Sequence, residues 1–305
     1  MRVEDIKERV EKAHALLEEC AVCPRECGVN RLKGEIGFCG IGKRPKVASF
    51  NLHTGEEPPI SGSKGSGTIF FSGCNLRCRY CQNFPISQMG NGEEITTEKL
   101  AGMMLDLKSK GAHNINFVTP SHVVPQILEA LLLAWERGFD LPLVYNTSGY
   151  DAIGSLQLLE GIIDVHLPDM RYSDDRIAER LSSVEDYVEV NRKAIIEMHR
   201  QVGNLKVDEQ GLARRGLIIR HLILPNNQAG SESTFRFIRE ELSDQVPVSL
   251  MGQYFPSFRA SECVSIDRKI TPEEYESALK SFYDSGLSRG WIQEGFEHEA
   301  QPAEE

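Results

Sequence analysis

Three cysteines, Cys74, Cys78 and Cys81, stand at C-x3-C-x2-C spacing within Gly73-Cys74-Asn75-Leu76-Arg77-Cys78-Arg79-Tyr80-Cys81. A short loop can fold three thiolates so spaced onto one face of an iron–sulfur cube. Structural zinc and electron-carrying iron–sulfur clusters normally take four protein ligands. Three leave one iron without a protein donor, and an open metal position is what a site needs to bind a substrate. The run Thr68-Ile69-Phe70-Phe71 is β-branched and aromatic, and predicts a strand that leads straight into the loop. A zinc loop borrowing its fourth ligand from elsewhere is the competing reading.

Four further cysteines, Cys20, Cys23, Cys27 and Cys39, lie in a stretch that also holds Gly28, Gly34, Gly37, Gly40 and Gly42. Glycine permits the backbone angles that aim thiolates inward. Four ligands complete a closed site, either zinc or a second, fully ligated iron–sulfur cluster, and the spacing does not separate the two. Seven of the eight cysteines thus fall in two tight groups. With no export signal expected, such grouping favours metal thiolates over disulfides. Cys263 stands alone and reads as a small buried hydrophobe.

The Gly73–Cys81 loop resembles the cluster motif of the radical S-adenosylmethionine superfamily. Gly55-Glu56-Glu57-Pro58-Pro59-Ile60-Ser61-Gly62, Cys81-Gln82-Asn83, Tyr145-Asn146-Thr147-Ser148-Gly149-Tyr150, Leu167-Pro168-Asp169-Met170-Arg171-Tyr172 and Arg220-His221-Leu222-Ile223-Leu224-Pro225 resemble one branch of it. That branch is the PflX-like proteins, relatives of the pyruvate formate-lyase activating enzyme, and the likeness covers about residues 20–285.

The resemblance implies a 4Fe-4S cluster on Cys74, Cys78 and Cys81, with S-adenosylmethionine chelating the open iron. One electron then cleaves the sulfonium to methionine and a 5′-deoxyadenosyl radical, which abstracts hydrogen from a substrate; a glycyl-radical enzyme is one such substrate. By the same resemblance Tyr80 and Asn83 flank the adenine, Asn146 and Asp169 face the ribose or methionyl portion, Arg171 holds the carboxylate with a forked pair of hydrogen bonds, and Arg220 lies near the adenine. An external one-electron donor such as flavodoxin or ferredoxin is implied as a partner. The chain departs from the activating enzymes in three places. Their Gly-Gly-Glu segment is replaced by Val118-Thr119-Pro120-Ser121, their Asp-x-Lys by Asp169-Met170-Arg171, and an aspartate by Asn146.

The elements that must position these groups follow from periodicity. Strands are predicted near 68–72, 114–118, 142–146, 163–167, 217–223 and 247–251, with helical stripes between them, such as Val124, Ile127, Leu128, Leu131 and Trp135. Val184, Tyr187, Val188, Ile195 and Met198 predict a further helix, as do Phe235, Ile238 and Leu242. Thr271-Pro272-Glu273-Glu274 is a capping box opening the last helix. Mostly apolar strands alternating with helices predict an α/β fold with a parallel sheet. Six units are too few for a closed barrel, and the superfamily's open (β/α)6 partial TIM barrel is the form implied. Polar residues gather at the expected strand ends, where sites form in such folds.

The division expected is an N-terminal helix and cysteine-rich metal-binding segment over 1–45, a core over 46–290, and an acidic, disordered tail over 291–305. The helix over 3–17 packs most simply on the segment after it. Residues 62–67 read as a flexible connector, and His53, Glu56 and Glu57 as a solvated turn.

A formal net charge of −11 without a basic block argues against nucleic acid and anionic membranes, and leaves room for a small molecule or a protein substrate. Acidic residues near the start and the lack of a long apolar run lead to an expected cytoplasmic location. A non-catalytic iron–sulfur electron carrier and a zinc-stabilised interaction protein are the alternatives.

Overall fold

The computed structural model describes residues 3–293. The chain opens with helix α1 (Val3–Ala15), strand β1 (Lys46–His53) and the short helix α2 (Pro58–Ser61). It then alternates: β2 (Ser66–Phe71), α3 (Phe84–Ser87), β3 (Glu93–Glu94), α4 (Thr97–Ser109), β4 (Ile115–Val118), α5 (Val124–Trp135), β5 (Leu143–Thr147), α6 (Ile153–Leu158) and β6 (Val165–Pro168). Helices α7 (Asp175–Ser182) and α8 (Tyr187–Val202) lead to β7 (Lys206–Val207), β8 (Ala213–Leu217) and β9 (Ile219–Leu222). The chain continues through α9 (Ser231–Phe237), β10 (Val248–Met251), α10 (Pro272–Asp284) and β11 (Gly290–Gln293).

Each helical crossover returns the chain in the direction it left, so successive strands pair in parallel. One sheet runs β3-β1-β2-β4-β5-β6-β8-β7 and the other β11-β10-β9. Only Ile218 separates β8 from β9, and a parallel bridge between Asp169 and Arg220 joins the end of β6 to β9. The parallel array is therefore continuous from β2 to β11. Antiparallel β1 and β3 cover one edge, and β7 pairs with β8.

Alternation along the strands separates two apolar layers. Helix-facing residues such as Phe71, Phe117 and Tyr145 join the main core. Ile60, Val144, Val165, Leu167, Ala213 and Ile218 make a smaller cluster on the other face. That inner face continues into Asn146 and Asp169, two residues beyond Val144 and Leu167. An apolar floor thus ends in a polar rim at the strand ends.

Several expectations are corrected. Helix α1 packs on α5 and reaches α6, where Arg9 Nη1 donates to Leu158 O at 3.1 Å, so the core anchors it in addition to the segment that follows it, which shares its apolar cluster. Residues 62–67 are no simple connector: Ser66 and Gly67 open β2, after α2 has set the fully buried Ile60 on the inner face. Residues 291–293, assigned to the tail, complete β11, where Trp291 packs on the inner cluster and Gly290 lies so close to Val248 O that no side chain fits. The remaining tail, 294–305, lies outside the described residues. Val184 precedes its helix, and the turn at Ile238–Leu242 is a wide π-type one. The capping box forms, with Glu274 N donating to Thr271 Oγ1 and Thr271 N to the Glu274 carboxylate. Among the described residues, no helix is long and apolar enough to cross a membrane.

Candidate cluster site

The cysteine loop leaves the end of β2 through Gly73, whose φ of +78° and proximity to Cys39 O, 2.4 Å from where a Cβ would sit, admit only glycine. The end of α7 clamps the loop: Arg77 N and Arg79 N donate to Ser182 O and Leu181 O at 3.0 and 2.8 Å. Each sulfur has a local polar partner. Leu76 N lies 3.4 Å from Cys74 Sγ, Ser182 Oγ 3.0 Å from Cys78 Sγ, and Ser87 Oγ 3.1 Å from Cys81 Sγ. Such donors tune an iron–sulfur cluster. Cys74 and Cys78 are buried and Cys81 is half-buried. Burial, with Cys78 adding, pushes the Cys74 thiol up to about 12, so only a bound metal keeps it a thiolate at neutral pH. Three soft donors with hydrogen bonds aimed at sulfur fit a 4Fe-4S cube. Among the described residues, no three Cys, His, Asp or Glu side chains converge on one metal ion, and sulfurs gripping the corners of a cube stand farther apart than those around a single ion.

Cys74, Cys78, Cys81, Tyr80, Asn83, Asn146, Asp169, Arg171 and Arg220 all line one cavity of about 290 Å³. Along its wall Arg220 Nε donates to Asp169 Oδ1 at 2.8 Å, Arg171 pairs with Asp169 Oδ2, and Arg220 also donates to Asn146 Oδ1. Glu56 stands behind this wall: its Oε2 is 3.7 Å from Arg220 Nη1, and its Oε1 accepts from Asn116 Nδ2 at 3.0 Å. Burial raises the Glu56 carboxyl, and Arg220 opposes that shift. Glu57 is buried too, so the solvated turn expected at 56–57 is corrected: α2 folds both carboxyls against the inner face of the sheet. The pairing with Arg220 is what the sequence reading missed, although the Gly55–Gly62 segment had been singled out.

Among the described residues, two buried polar atoms on the cavity wall have no hydrogen-bond partner, Arg171 Nε and Ser148 Oγ. Where a family carboxylate was absent, Thr119 holds a φ of +59° and its N–H bonds to Asn146 O at 2.9 Å. The Tyr80 ring stands edge-on to Tyr254, and its hydroxyl lies 2.7 Å from Tyr172, whose own hydroxyl is 2.6 Å from Ser182 Oγ. A chain of hydroxyls thus ends on Cys78. Other strand-end polar groups are structural. His122 bonds Ser72 O, His221 sits between Met170 O and Ser231 Oγ, and Tyr254 donates to Ile266 O. Burial pushes both histidines down to about 4, which keeps them neutral.

The N-terminal cysteines gather beside this loop. Cys20, Cys23 and Cys39 are buried, and Cys27 is half-buried. Burial pushes the Cys23 thiol up to about 12, with Cys39, Cys20 and Cys27 adding to it. Arg25 Nε donates to Asn75 O at 2.9 Å, and Arg77 donates both to Cys74 O and to Phe38 O. Gly73→Ala tests the closeness of the two loops. Overpacking together with left-handed strain costs roughly 2–4 kcal/mol. Gly28→Ala, with φ +67° but nothing within 4 Å, carries only the strain, about 1 kcal/mol. Urea midpoints of the two variants check the difference, and equal midpoints count against the packing described.

A 4Fe-4S single cluster domain matches residues 61–152. The chain is 33% identical over 279 residues to the uncharacterized protein MJ0674 of Methanocaldococcus jannaschii, covering 89% of this chain and 76% of that one. It is 31% identical over 130 residues to the pyruvate formate-lyase-activating enzyme of Clostridium pasteurianum, covering 41% of this chain and 53% of that one. The crystal structure of HydG, a maturase of the FeFe-hydrogenase, superposes with a TM-score of 0.51 at 12% identity, covering 96% of this chain and 64% of that one, a likeness of fold. The chain belongs to the family of MJ0674, and its three-cysteine loop, 4Fe-4S domain and parallel α/β fold make it a member of the radical S-adenosylmethionine superfamily.

Proposed function

We propose that the chain is a radical S-adenosylmethionine enzyme of the PflX-like branch, related to the pyruvate formate-lyase activating enzyme. Its sheet is then the open (β/α)6 partial barrel, and residues 1–45 are a metal-binding extension on a core over 46–290. The observation that supports this best is the meeting, in one cavity, of three cluster-binding cysteines with an ion-paired wall that keeps unpaired buried donors. When bound, the cluster supplies one electron to the sulfonium, and S-adenosylmethionine supplies the radical that takes hydrogen from the substrate.

The protein's own part is to hold and orient. Cys74, Cys78 and Cys81 grip the cluster. Arg171 Nε is the free donor left for the methionyl carboxylate. Asp169 and Asn146 fix both guanidiniums and keep acceptor oxygens toward the ribose or the methionyl amino group. Tyr80 and Asn83 flank the adenine, with Arg220 near it. Zinc or a second cluster occupies Cys20, Cys23, Cys27 and Cys39.

A flavodoxin or ferredoxin supplies the electrons in the cytoplasm. The substrate is a small molecule or a protein. Similarity to the Clostridium enzyme, of whose length the chain spans about half, makes a glycyl-radical protein one candidate. Anaerobic reconstitution followed by dithionite and S-adenosylmethionine is expected to yield 5′-deoxyadenosine. Iron and sulfide without that product would mean an electron carrier, and a colourless zinc protein would mean an interaction module; either result overturns the proposal.

A further inference from the structure

We infer that Glu56 and Glu57, carried against the inner face of the sheet by the Gly55–Gly62 turn, set the charge of the cofactor cavity so that it selects a cationic sulfonium over the neutral thioether. The inference rests on the reading of the cavity given above, in which that turn has no part.

The lining of the cavity poses the problem. Apart from the cysteines, its charged side chains are Asp169, Arg171 and Arg220. Two guanidiniums against one carboxylate leave one positive charge in excess, which repels a cation. S-adenosylmethionine is a cation, because its sulfonium and ammonium outweigh its carboxylate by one charge.

The turn provides what the lining lacks. Glu56 Oε2 stands 3.7 Å from Arg220 Nη1, and Glu57 is 2% exposed. Burial disfavours the Arg220 cation, but Asp169, Glu57 and Glu56 together outweigh it and hold the guanidinium above the ordinary arginine range. With these two carboxylates counted, the excess changes sign to one negative charge. Among the described residues Glu57 Oε2 has no hydrogen-bond partner, and neither has Asn116 Oδ1, whose own Nδ2 donates to Glu56 Oε1 at 3.0 Å. Acceptors therefore outnumber donors behind Arg220, and in a poorly hydrated site their field reaches the cavity.

Burying two carboxyls is unfavourable unless something offsets it, and the turn is built to hold them there. Glu56 N donates to Ser61 Oγ at 3.0 Å, and Ser61 Oγ donates back to Glu56 O at 3.2 Å. Ile60 N and Ser61 N donate to Glu57 O at 2.8 and 3.0 Å. Pro58 and Pro59 stiffen the backbone between the carboxyls and Ile60, which is fully buried in the inner cluster. A neutral amide at Glu56 can keep the contact with Asn116. What an amide does not bring is the charge, so Glu56→Gln separates selection from support.

The anaerobically reconstituted full chain is expected to bind S-adenosylmethionine at least about fivefold more tightly than S-adenosylhomocysteine, which lacks the positive charge on sulfur. Equilibrium dialysis reads both Kd values. In Glu56→Gln, with iron content unchanged, the ratio is expected to fall at least about threefold, the loss resting on S-adenosylmethionine. Glu56→Asp keeps the charge and is expected to hold the ratio within about twofold of wild type. Adding Arg220→Gln to Glu56→Gln removes the opposing charge and is expected to restore part of the ratio. Glu57→Gln, expected to act in the same direction, carries the test if Glu56→Gln does not fold. A wild type without the preference, equal weakening of both ligands, or an unchanged ratio in the glutamine variants overturns the inference and leaves the cofactor site standing. A wild type that binds neither ligand defeats the reading of the cavity instead.

Discussion

Cys78→Ala is expected to bring 5′-deoxyadenosine formation down to the background of a protein-free mixture, while Cys263→Ala keeps wild-type turnover. The contrast follows from where the two sulfurs stand. Cys78 is buried beside Ser182 and within the electrostatic reach of Arg171, which opposes the rise that burial imposes on its thiol. Removing that sulfur takes one of three ligands from the cube and puts a methyl group where neither a thiolate nor a bulk water easily replaces it. Cys263 is half-exposed, closes a short turn through its backbone N–H to Ala260 O, and does not line the cavity. The discriminating measurement is product formation alongside iron content, since the variant must lose the product together with the iron of this cluster. A Cys78→Ala protein that still cleaves S-adenosylmethionine at the wild-type rate would place the reaction on other ligands and refute the site.

Legibility tracked the range of the interactions. The cysteine loop could be read because its ligands are close in sequence and the preceding strand is strongly β-forming. The β4–β6 run could be read because buried parallel strands are near-continuous apolar stretches. What escaped depends on partners far along the chain. Glu56 looked like a turn residue because Arg220, which draws it in, lies 164 positions away by residue number. Ser182 contacts Cys78 across 104 positions, and the helix that ends on it, α7, has only eight residues to announce itself. Strand β11 escaped because Gly290, a poor strand former by propensity, is required there by the closeness of Val248 O. The serine and backbone donors around the three sulfurs leave no signature at all, since Ser87 and Ser182 close short helices outside any motif and any residue but proline supplies a backbone N–H.

The largest stability effect is expected from Asp169→Asn. Asp169 is the one carboxylate that both Arg171 and Arg220 contact at hydrogen-bond distance, and its side chain is 10% exposed, against 23% and 19% for the two arginines. An amide fills the same space but cancels no charge, so two guanidiniums are left facing each other in a poorly hydrated wall. Glu56 helps Arg220 only from 3.7 Å, and among the described residues Asp169 is the one carboxylate paired with Arg171. Removing one partner of a buried ion pair typically costs about 3–5 kcal/mol, which for a chain of this size lowers the melting temperature on the order of 10 °C. Asp174→Asn is the control: that carboxylate pairs with the exposed Arg176 and caps α7, a duty asparagine performs as well, so a change of less than ~0.5 kcal/mol is expected. The cost should also be coupled. Arg171→Gln introduced on top of Asp169→Asn removes an unpaired charge, and is expected to cost at least ~0.5 kcal/mol less than Arg171→Gln alone. Strictly additive losses in thermal or urea unfolding would mean that Asp169 does not hold the arginine in place, and the argument that Arg171 is pre-aimed at the methionyl carboxylate would lose its footing.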